Sequence, residues 1–270
     1  MYQIDAFTDR PFSGNPAAVV LLRGDAPASA MQALAAENNL SETAFVRAMG
    51  ANWSLRWFTP TAEVSFCGHA TLAAAHALMV EEKQAGPVRF VTAVGDLTVT
   101  AEDEGFTMRF PRFDPEPLDA GDPRLASALG RRPVAAFQAR GNLFAVLPDE
   151  GEVRRCAPNM AAVEGLPDGL CVTAPAVDVD FASRYFAPSH GIPEDPVTGS
   201  IHATLAPYWA GETGRTSLEA VQASARGGSL RCTVKEDAVE VWGQAVTVFR
   251  AELAAPVVSA LESADRQTDA

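Results

Sequence analysis

The sequence predicts an α+β protein of two pseudo-symmetric domains, each an antiparallel sheet rolled around a central apolar helix. Three observations carry that expectation. Motifs recur in the same order in the two halves, each half holds one Ala-rich helix that is apolar on most sides, and the remaining apolar segments alternate as strands do. The repeat is the firmest of the three. His69-Ala-Thr-Leu-Ala73 returns as His202-Ala-Thr-Leu-Ala206. Gly14-Asn15, followed by Ala18-Val19-Val20, matches Gly141-Asn142 followed by Ala145-Val146-Leu147. Arg56-Trp57-Phe58 matches Arg184-Tyr185-Phe186, and Gly95 with Leu97 matches Gly228 with Leu230. The matches are collinear, with one small insertion in the second half.

The elements follow in order. Val19 to Leu22 reads as a strand. Ser29 is placed to cap a helix whose apolar face is Met31, Leu34 and Ala35, ending near Asn38 and Asn39. Thr43 to Arg47 and Ser54 to Phe58 are strand-like. Ala70 to Met79 is the apolar helix, fit to be buried. Val88 to Thr92, Leu97 to Ala101 and Phe106 to Phe110 form an antiparallel meander, with a hairpin turn at Gly95-Asp96. Pro111 to Pro123 holds four prolines and four acidic residues, which marks a linker. The division is therefore 1–115 and 116–270. The polar tail from about Glu262 to Ala270 is expected to fray.

Composition narrows the function. The chain of 270 residues is 47% hydrophobic, enough for packed cores. Its net charge of −13 gives no long-range attraction to nucleic acid or to an anionic membrane. An anionic substrate would have to be held by local groups. The start, Met1 to Asp5, lacks the basic and apolar segments of a signal peptide. The longest weakly polar run, Ala70 to Val80, is too short to span a bilayer. Four scattered cysteines without a C-x-x-C pair read as a reduced, cytoplasmic protein. There is no G-x-G-x-x-G after a strand, no Walker loop and no G-x-S-x-G elbow, which argues against a nucleotide cofactor and against hydrolase chemistry. No metal is expected. His69 and His76 lie about 10.5 Å apart along one helix, too far for one ion, and His190 and His202 show no ligand spacing.

The repeats also locate a site. Pro60 to His69 and Pro193 to His202 are each a short loop running into the start of the apolar helix. Helix starts present unpaired N–H groups and partial positive charge. Two of them facing one cleft could bind a carboxylate or a forming enolate. The plainer alternative is that Thr198 or Ser200 merely caps a core helix.

Five motifs together resemble the PhzF family of phenazine-biosynthesis isomerases. They are Asp5-Ala-Phe-Thr8, Phe12-Ser-Gly-Asn-Pro-Ala-Ala-Val19, Leu40-Ser-Glu-Thr-Ala-Phe45, Phe66-Cys-Gly-His-Ala-Thr-Leu72 and Glu194-Asp-Pro-Val-Thr-Gly-Ser200. The resemblance runs from residue 4 to about residue 250. It implies a diaminopimelate epimerase-like fold, a homodimer, and a cofactor-free proton-transfer isomerisation of a small acid. It places the family's glutamate on Glu42, its histidine on His69 and its aspartate on Asp195. Asn15, Ser41, Gly68, Gly199 and Ser200 are the candidate substrate-binding positions. Ser65 departs from the pattern, since relatives often carry an acid there.

The residues themselves allow these roles. Glu42 sits in an apolar stretch, where burial favours a carboxyl able both to take and to give a proton. His69 is placed to donate to substrate or to hold the glutamate. Asp195 precedes Pro196, which keeps it extended and out of the helix. Cys67 and Ser200 occupy matching places in the repeats, where diaminopimelate epimerases use two cysteines. A hydroxyl cannot replace a thiol as an acid there, so two-cysteine racemisation is disfavoured. The rivals are an amino-acid epimerase using Cys67 and a non-catalytic binding protein on the same fold.

Overall fold

The duplication read from the sequence is present in the backbone of a computed structural model, which describes residues 1–263. The last residues of the expected frayed tail lie outside that range. The chain forms two compact units. One is Met1–Met108 together with the chain from Gln244 onward, and the other is Arg109–Gly243. The sequence division at 115 put everything after it in the second half. The contacts return Gln244 onward to the first unit.

The first unit contains β1 (Tyr2–Ala6), β2 (Asn15–Leu22), α1 (Ala28–Asn38), β3 (Glu42–Met49), β4 (Asn52–Phe58), β5 (Glu63–Val64) and α2 (Gly68–His76). It continues through β6 (Val88–Thr92), β7 (Gly95–Glu102) and β8 (Gly105–Pro111), whose last three residues pass into the second unit. The second unit contains β9 (Glu116–Leu118), α3 (Pro123–Leu129), β10 (Ala135–Ala139), β11 (Asn142–Val146), α4 (Glu150–Arg155), α5 (Met160–Glu164), β12 (Leu170–Pro175) and β13 (Phe181–Ala187). It continues through β14 (Ile192–Asp195), α6 (His202–Thr213), β15 (Ser217–Gln222), β16 (Gly228–Val234) and β17 (Ala238–Gly243). Strand β18 (Ala245–Arg250) and helix α7 (Ala255–Glu262) complete the first unit.

The two strand orders are the same. In the first unit β18–β1–β2–β3–β4–β6–β7–β8 are neighbours in turn. In the second the order is β9–β10–β11–β12–β13–β15–β16–β17. Each three-stranded meander is followed in the chain by an edge strand of the other unit. The stretch read as a linker therefore contains a strand, β9. Its Pro117 sits on a strand paired only with β10 among the described residues, the position a residue without an N–H tolerates.

The sheets are mixed rather than purely antiparallel. Strand β2 runs parallel to β3 and β4 to β6, just as β11 runs parallel to β12 and β13 to β15. The reason is the connections. Each parallel pair is joined through helix, and only a long crossover can return the chain in the same direction.

Helix α2 packs on β1, β2, β3 and β18, and all nine of its residues are buried. Helix α6 packs on β15, β16 and β17. These are the two apolar helices that the sequence places at the centres. The outer face of the first sheet is covered by α1 and α7, where Val20, Met31, Leu34, Ala35, Phe45, Phe58 and Leu261 form one cluster. In the second unit Leu125, Val153 and Val163 of α3, α4 and α5 cover the corresponding face.

Local details differ from the sequence reading. The N-cap of α1 is Pro27, and no side chain caps it, so Ser29 lies inside the helix. Its end is as expected, with Asn39 in the left-handed region at φ 50°. The β6–β7 turn falls at Ala93 and Val94, because Thr92 already pairs with Gly95. Helix α2 ends at His76 and widens into a π-turn over Ala77–Glu81, in which Glu82 N–H donates to Ala77 C=O at 3.0 Å. Helix α6 starts after Ile201 with no side-chain cap, so neither Thr198 nor Ser200 plays that part.

Candidate active site

In the first unit the site is built on three neighbouring elements. Gly14 turns the chain into β2 with φ +65°, and a Cβ there would stand 2.1 Å from Ala6 carbonyl oxygen. Only glycine fits, and the tight turn sets Asn15 opposite Ala6 at the start of β2. Glu42 opens β3 beside Ala17. Residues 15 and 17 share a face of β2, so Asn15 and Glu42 point the same way. Cys67 is the N-cap of α2, with no side-chain bond of its own to the helix start. His69 is the second residue of α2.

These four side chains meet. His69 Nε2 lies 2.9 Å from Glu42 Oε2, and Asn15 Nδ2 lies 2.9 Å from His69 Nδ1. Cys67 Sγ is 3.5 Å from His69 Nδ1 and 3.9 Å from Nε2. All are buried: Asn15 is 0% exposed, His69 4%, Cys67 6% and Glu42 7%. The His69–Glu42 approach is an ion-pair contact off the hydrogen-bond axis, and Glu42 Oε2 accepts no hydrogen bond among the described residues.

Burial by itself would lower the basicity of the His69 ring. The neighbouring Cys67 sulfur and Glu42 carboxylate outweigh it and hold the ring well above its ordinary range. Burial, with the Glu42 charge behind it, pushes the Cys67 thiol up to about 11. The sulfur is therefore a thiol at neutral pH. The Asn15 contact pulls the other way. As placed, its amide N–H donates to Nδ1, which describes a ring protonated on Nε2 alone. A second proton on Nδ1 would require the amide to present its oxygen instead.

The donor atoms of Glu42, Cys67 and His69 lie within 4.8 Å of one another, close enough to be considered together as metal ligands. Spacing along the sequence does not reveal that grouping, since it weighed only histidines. Both ring nitrogens face protein groups, Glu42 at Nε2 and Asn15 and Cys67 at Nδ1. The remaining first-unit positions are Gly68, the buried first residue of α2, and Ser41, partly exposed in the turn before β3.

In the second unit Asp195 ends β14 and is buried. Thr198 hydroxyl donates to its Oδ2. Gln222, fully buried on β15, braces this loop. Its Nε2 donates to Asp195 carbonyl at 2.8 Å and to Thr198 Oγ1 at 3.2 Å, while Oε1 accepts from Thr198 N–H at 2.8 Å. Gly199 and Ser200 follow as a turn whose carbonyls accept from His202 N–H and Ala203 N–H, at 3.2 and 3.1 Å. Gln222 escaped the sequence reading because it lies outside every repeated motif.

The duplicated positions have diverged. Asn142, the counterpart of Asn15, donates to Asp168 Oδ2 and accepts from Tyr185 hydroxyl, each at 2.8 Å. His202, the counterpart of His69, directs Nδ1 to Thr198 carbonyl at 2.8 Å, and its Nε2 has no hydrogen-bond partner among the described residues. Burial drives its ring down to about 4, so it is neutral. Counted from β11, the counterpart of Glu42 is Cys171, and counted from β13 it is Gly169. Neither carries a carboxyl, and at Gly169 a Cβ would stand 2.5 Å from Tyr185 hydroxyl. A structural pair, by contrast, is kept in both units. Arg56 binds Glu63 through two bonds of 2.7 Å, and Arg184 binds Glu194 at 2.7 and 2.8 Å.

Two like units of mixed sheet around an apolar helix, one of which holds a buried carboxyl–imidazole pair, define an isomerase-class protein of the epimerase-like fold. The profile of the phenazine biosynthesis-like family, PhzC-PhzF, matches residues 4–251, and the chain belongs to that family. It is 46% identical over 249 residues to an uncharacterized isomerase of Pseudomonas aeruginosa, covering 92% of this chain and 95% of that protein. A crystal structure of a PhzF-family phenazine biosynthesis protein from Enterococcus faecalis superposes with a TM-score of 0.89 at 43% identity, covering 92% of this chain and 96% of that one. A predicted epimerase from Pseudomonas aeruginosa shares the fold at 23% identity and a TM-score of 0.72, over 93% and 98% of the two chains. No helix among the described residues is long and apolar enough to cross a membrane.

Proposed function

We propose that this isomerase shifts a proton within a small carboxylic acid, without a cofactor, and that Glu42 is its single general acid and base. The observation that supports this most is the state of Glu42. Its carboxyl is buried, lies 2.9 Å from His69 Nε2, and has an oxygen that accepts no hydrogen bond among the described residues. Such an oxygen keeps its lone pairs uncommitted, as a base acting on a C–H requires. Glu42 takes a proton from a carbon made acidic by a neighbouring carboxylate or double bond and returns it elsewhere on the same molecule. His69 holds the carboxyl in place. Backbone N–H groups at the uncapped start of α2, from Gly68 on, stabilise the developing negative charge. Asp195, with Gly199 and Ser200, is assigned to the substrate's polar groups, and Ser41 flanks the base.

Cys67 is the less suitable base, because a thiol pushed up to about 11 is scarcely ionised at neutral pH. The absence of a carboxyl at the duplicated position argues for one acid/base group rather than two opposed ones. A cytoplasmic homodimer completes the reading, and light scattering on the purified protein tests the dimer.

The direct test is incubation in heavy water with a panel of small cyclic carboxylic acids and amino acids, followed by mass. One deuterium entering a cyclic or unsaturated acid, with no inversion of any amino acid, is the expected result. Inversion of an amino acid that depends on Cys67 would overturn it in favour of the epimerase.

A further inference from the structure

We infer that Asn15 is a positioning residue that acts through His69: its amide, set against Nδ1, keeps the ring proton on Nε2 and opposes a second one. The catalytic consequence rests on the reading above, whereas the proton state of the ring does not.

Three observations carry the inference. First, Asn15 has no accessible surface, so its side chain is not presented to a molecule arriving from solvent. The sequence assigned it to substrate binding. Second, its Nδ2 is 2.9 Å from His69 Nδ1. Third, the duplicated Asn142 stands at the same place in its own sheet but binds Asp168 and Tyr185, and the duplicated His202 takes Thr198 carbonyl for its Nδ1. The scaffold therefore does not require an Asn–His contact at this place. It occurs in the unit that carries the carboxyl.

The chemistry gives the contact a purpose. A histidine beside a buried carboxylate tends to take a second proton, and the resulting ion pair ties up the base. A donor fixed against Nδ1 disfavours that second proton, because two N–H groups would then face each other. His69 then carries its proton on Nε2, 2.9 Å from Glu42 Oε2, and the carboxylate is not tied up by a fully charged ring.

The charged and titratable groups on the elements around α2 do not supply this control. Strand β1 brings Asp5, whose Oδ2 accepts Phe12 N–H at 2.7 Å, and Tyr2, which donates to Glu82. Strand β2 brings none. Strand β3 brings Glu42 and, at its far end, Arg47, paired with Asp25 at 2.9 Å. Strand β18 brings Arg250, paired with Glu81, while His76 at the far end of α2 contacts Thr247 at 3.0 Å. Among the described residues the titratable groups that bear on the His69 ring are Glu42 and Cys67.

The test is ¹⁵N NMR of protein labelled at the imidazole nitrogens, read from pH 5 to 9. The four histidines are sorted with His69→Gln. In the unaltered protein the neutral ring of His69 should show Nε2 protonated and Nδ1 bare. Asn15→Leu removes the donor at similar size, and the His69 midpoint should rise on the order of one pH unit. Asn15→Asp should raise it further. A midpoint that stays or falls in a folded Asn15→Leu protein overturns the inference. If that variant does not fold, the same outcome in Asn15→Asp overturns it. Where an acid from the panel exchanges deuterium, Asn15→Leu should lower kcat on the order of 10-fold with KM little changed. A raised KM with kcat kept would make Asn15 a substrate contact and overturn the inference. If no acid exchanges, the isomerase reading fails on its own and the NMR result still decides the role of Asn15.

Discussion

The duplicated histidine offers a stability experiment whose size follows from the structure. His202 is 0% exposed, lies 5.9 Å from the Phe181 ring centre, and keeps its Nε2 without a hydrogen-bond partner among the described residues. Its ring has fallen from 6.5 to about 4, because burial penalises the charged form more than the bond to Thr198 carbonyl favours it. The folded protein therefore holds His202 neutral at pH values where the unfolded chain protonates it. Above 6.5 the group costs nothing. Below 6.5 the unfolded state binds the extra proton, stability falls with pH, and the loss levels off near 4. At 1.36 kcal/mol per pH unit that gap amounts to about 3 kcal/mol. Between pH 7 and pH 5 it is about 2 kcal/mol. His202→Asn keeps a donor for Thr198 carbonyl and cannot titrate. Urea unfolding of both proteins at pH 7, 6, 5 and 4.5 isolates the effect, since every other group titrates in both. The variant should be less stable at pH 7, where it loses packing, and should lose about 2 kcal/mol less than the parent on going to pH 5. Parallel losses in the two proteins would refute a buried, neutral His202.

Three further outcomes are expected. Glu42→Gln keeps the size of the side chain but cannot ionise, so deuterium wash-in should fall by at least about 10²-fold with the melting curve intact, whereas Cys67→Ser should keep most of the activity. An inactive serine variant beside an active glutamine variant would replace the carboxyl mechanism with a thiol one. Gly14→Ala sets a Cβ 2.1 Å from Ala6 carbonyl at φ +65° and should destabilise the first unit by about 3 kcal/mol or abolish soluble protein, as denaturant unfolding will show. Gln222→Ala removes three hydrogen bonds from the Asp195–Thr198 loop and should cost about 2–4 kcal/mol, with faster amide exchange at Thr198 as the local readout.

Much of this protein was legible in its sequence because apolar periodicity and repetition are local signals. The collinear repeats foretold two units of one topology, and the Ala-rich runs foretold α2 and α6, since a helix apolar on all sides has nowhere to go but a core. Glu42 and His69 were named through the family resemblance of their motifs, and the structure puts them 2.9 Å apart. Tertiary structure alone decided several things. The parallel pairings depend on where each crossover lands, and the membership of β18 depends on its pairing with β1 at the other end of the chain, which no local pattern encodes. The metal-like grouping of Glu42, Cys67 and His69 arises because β3 and the start of α2 converge in space. Asn15 and Asn142 are the same residue in the same motif, yet one faces an imidazole and the other a carboxylate and a phenol. A duplicated sequence specifies a duplicated backbone, but a side chain's partner is set by what the rest of the fold packs against it, and there the two halves have parted.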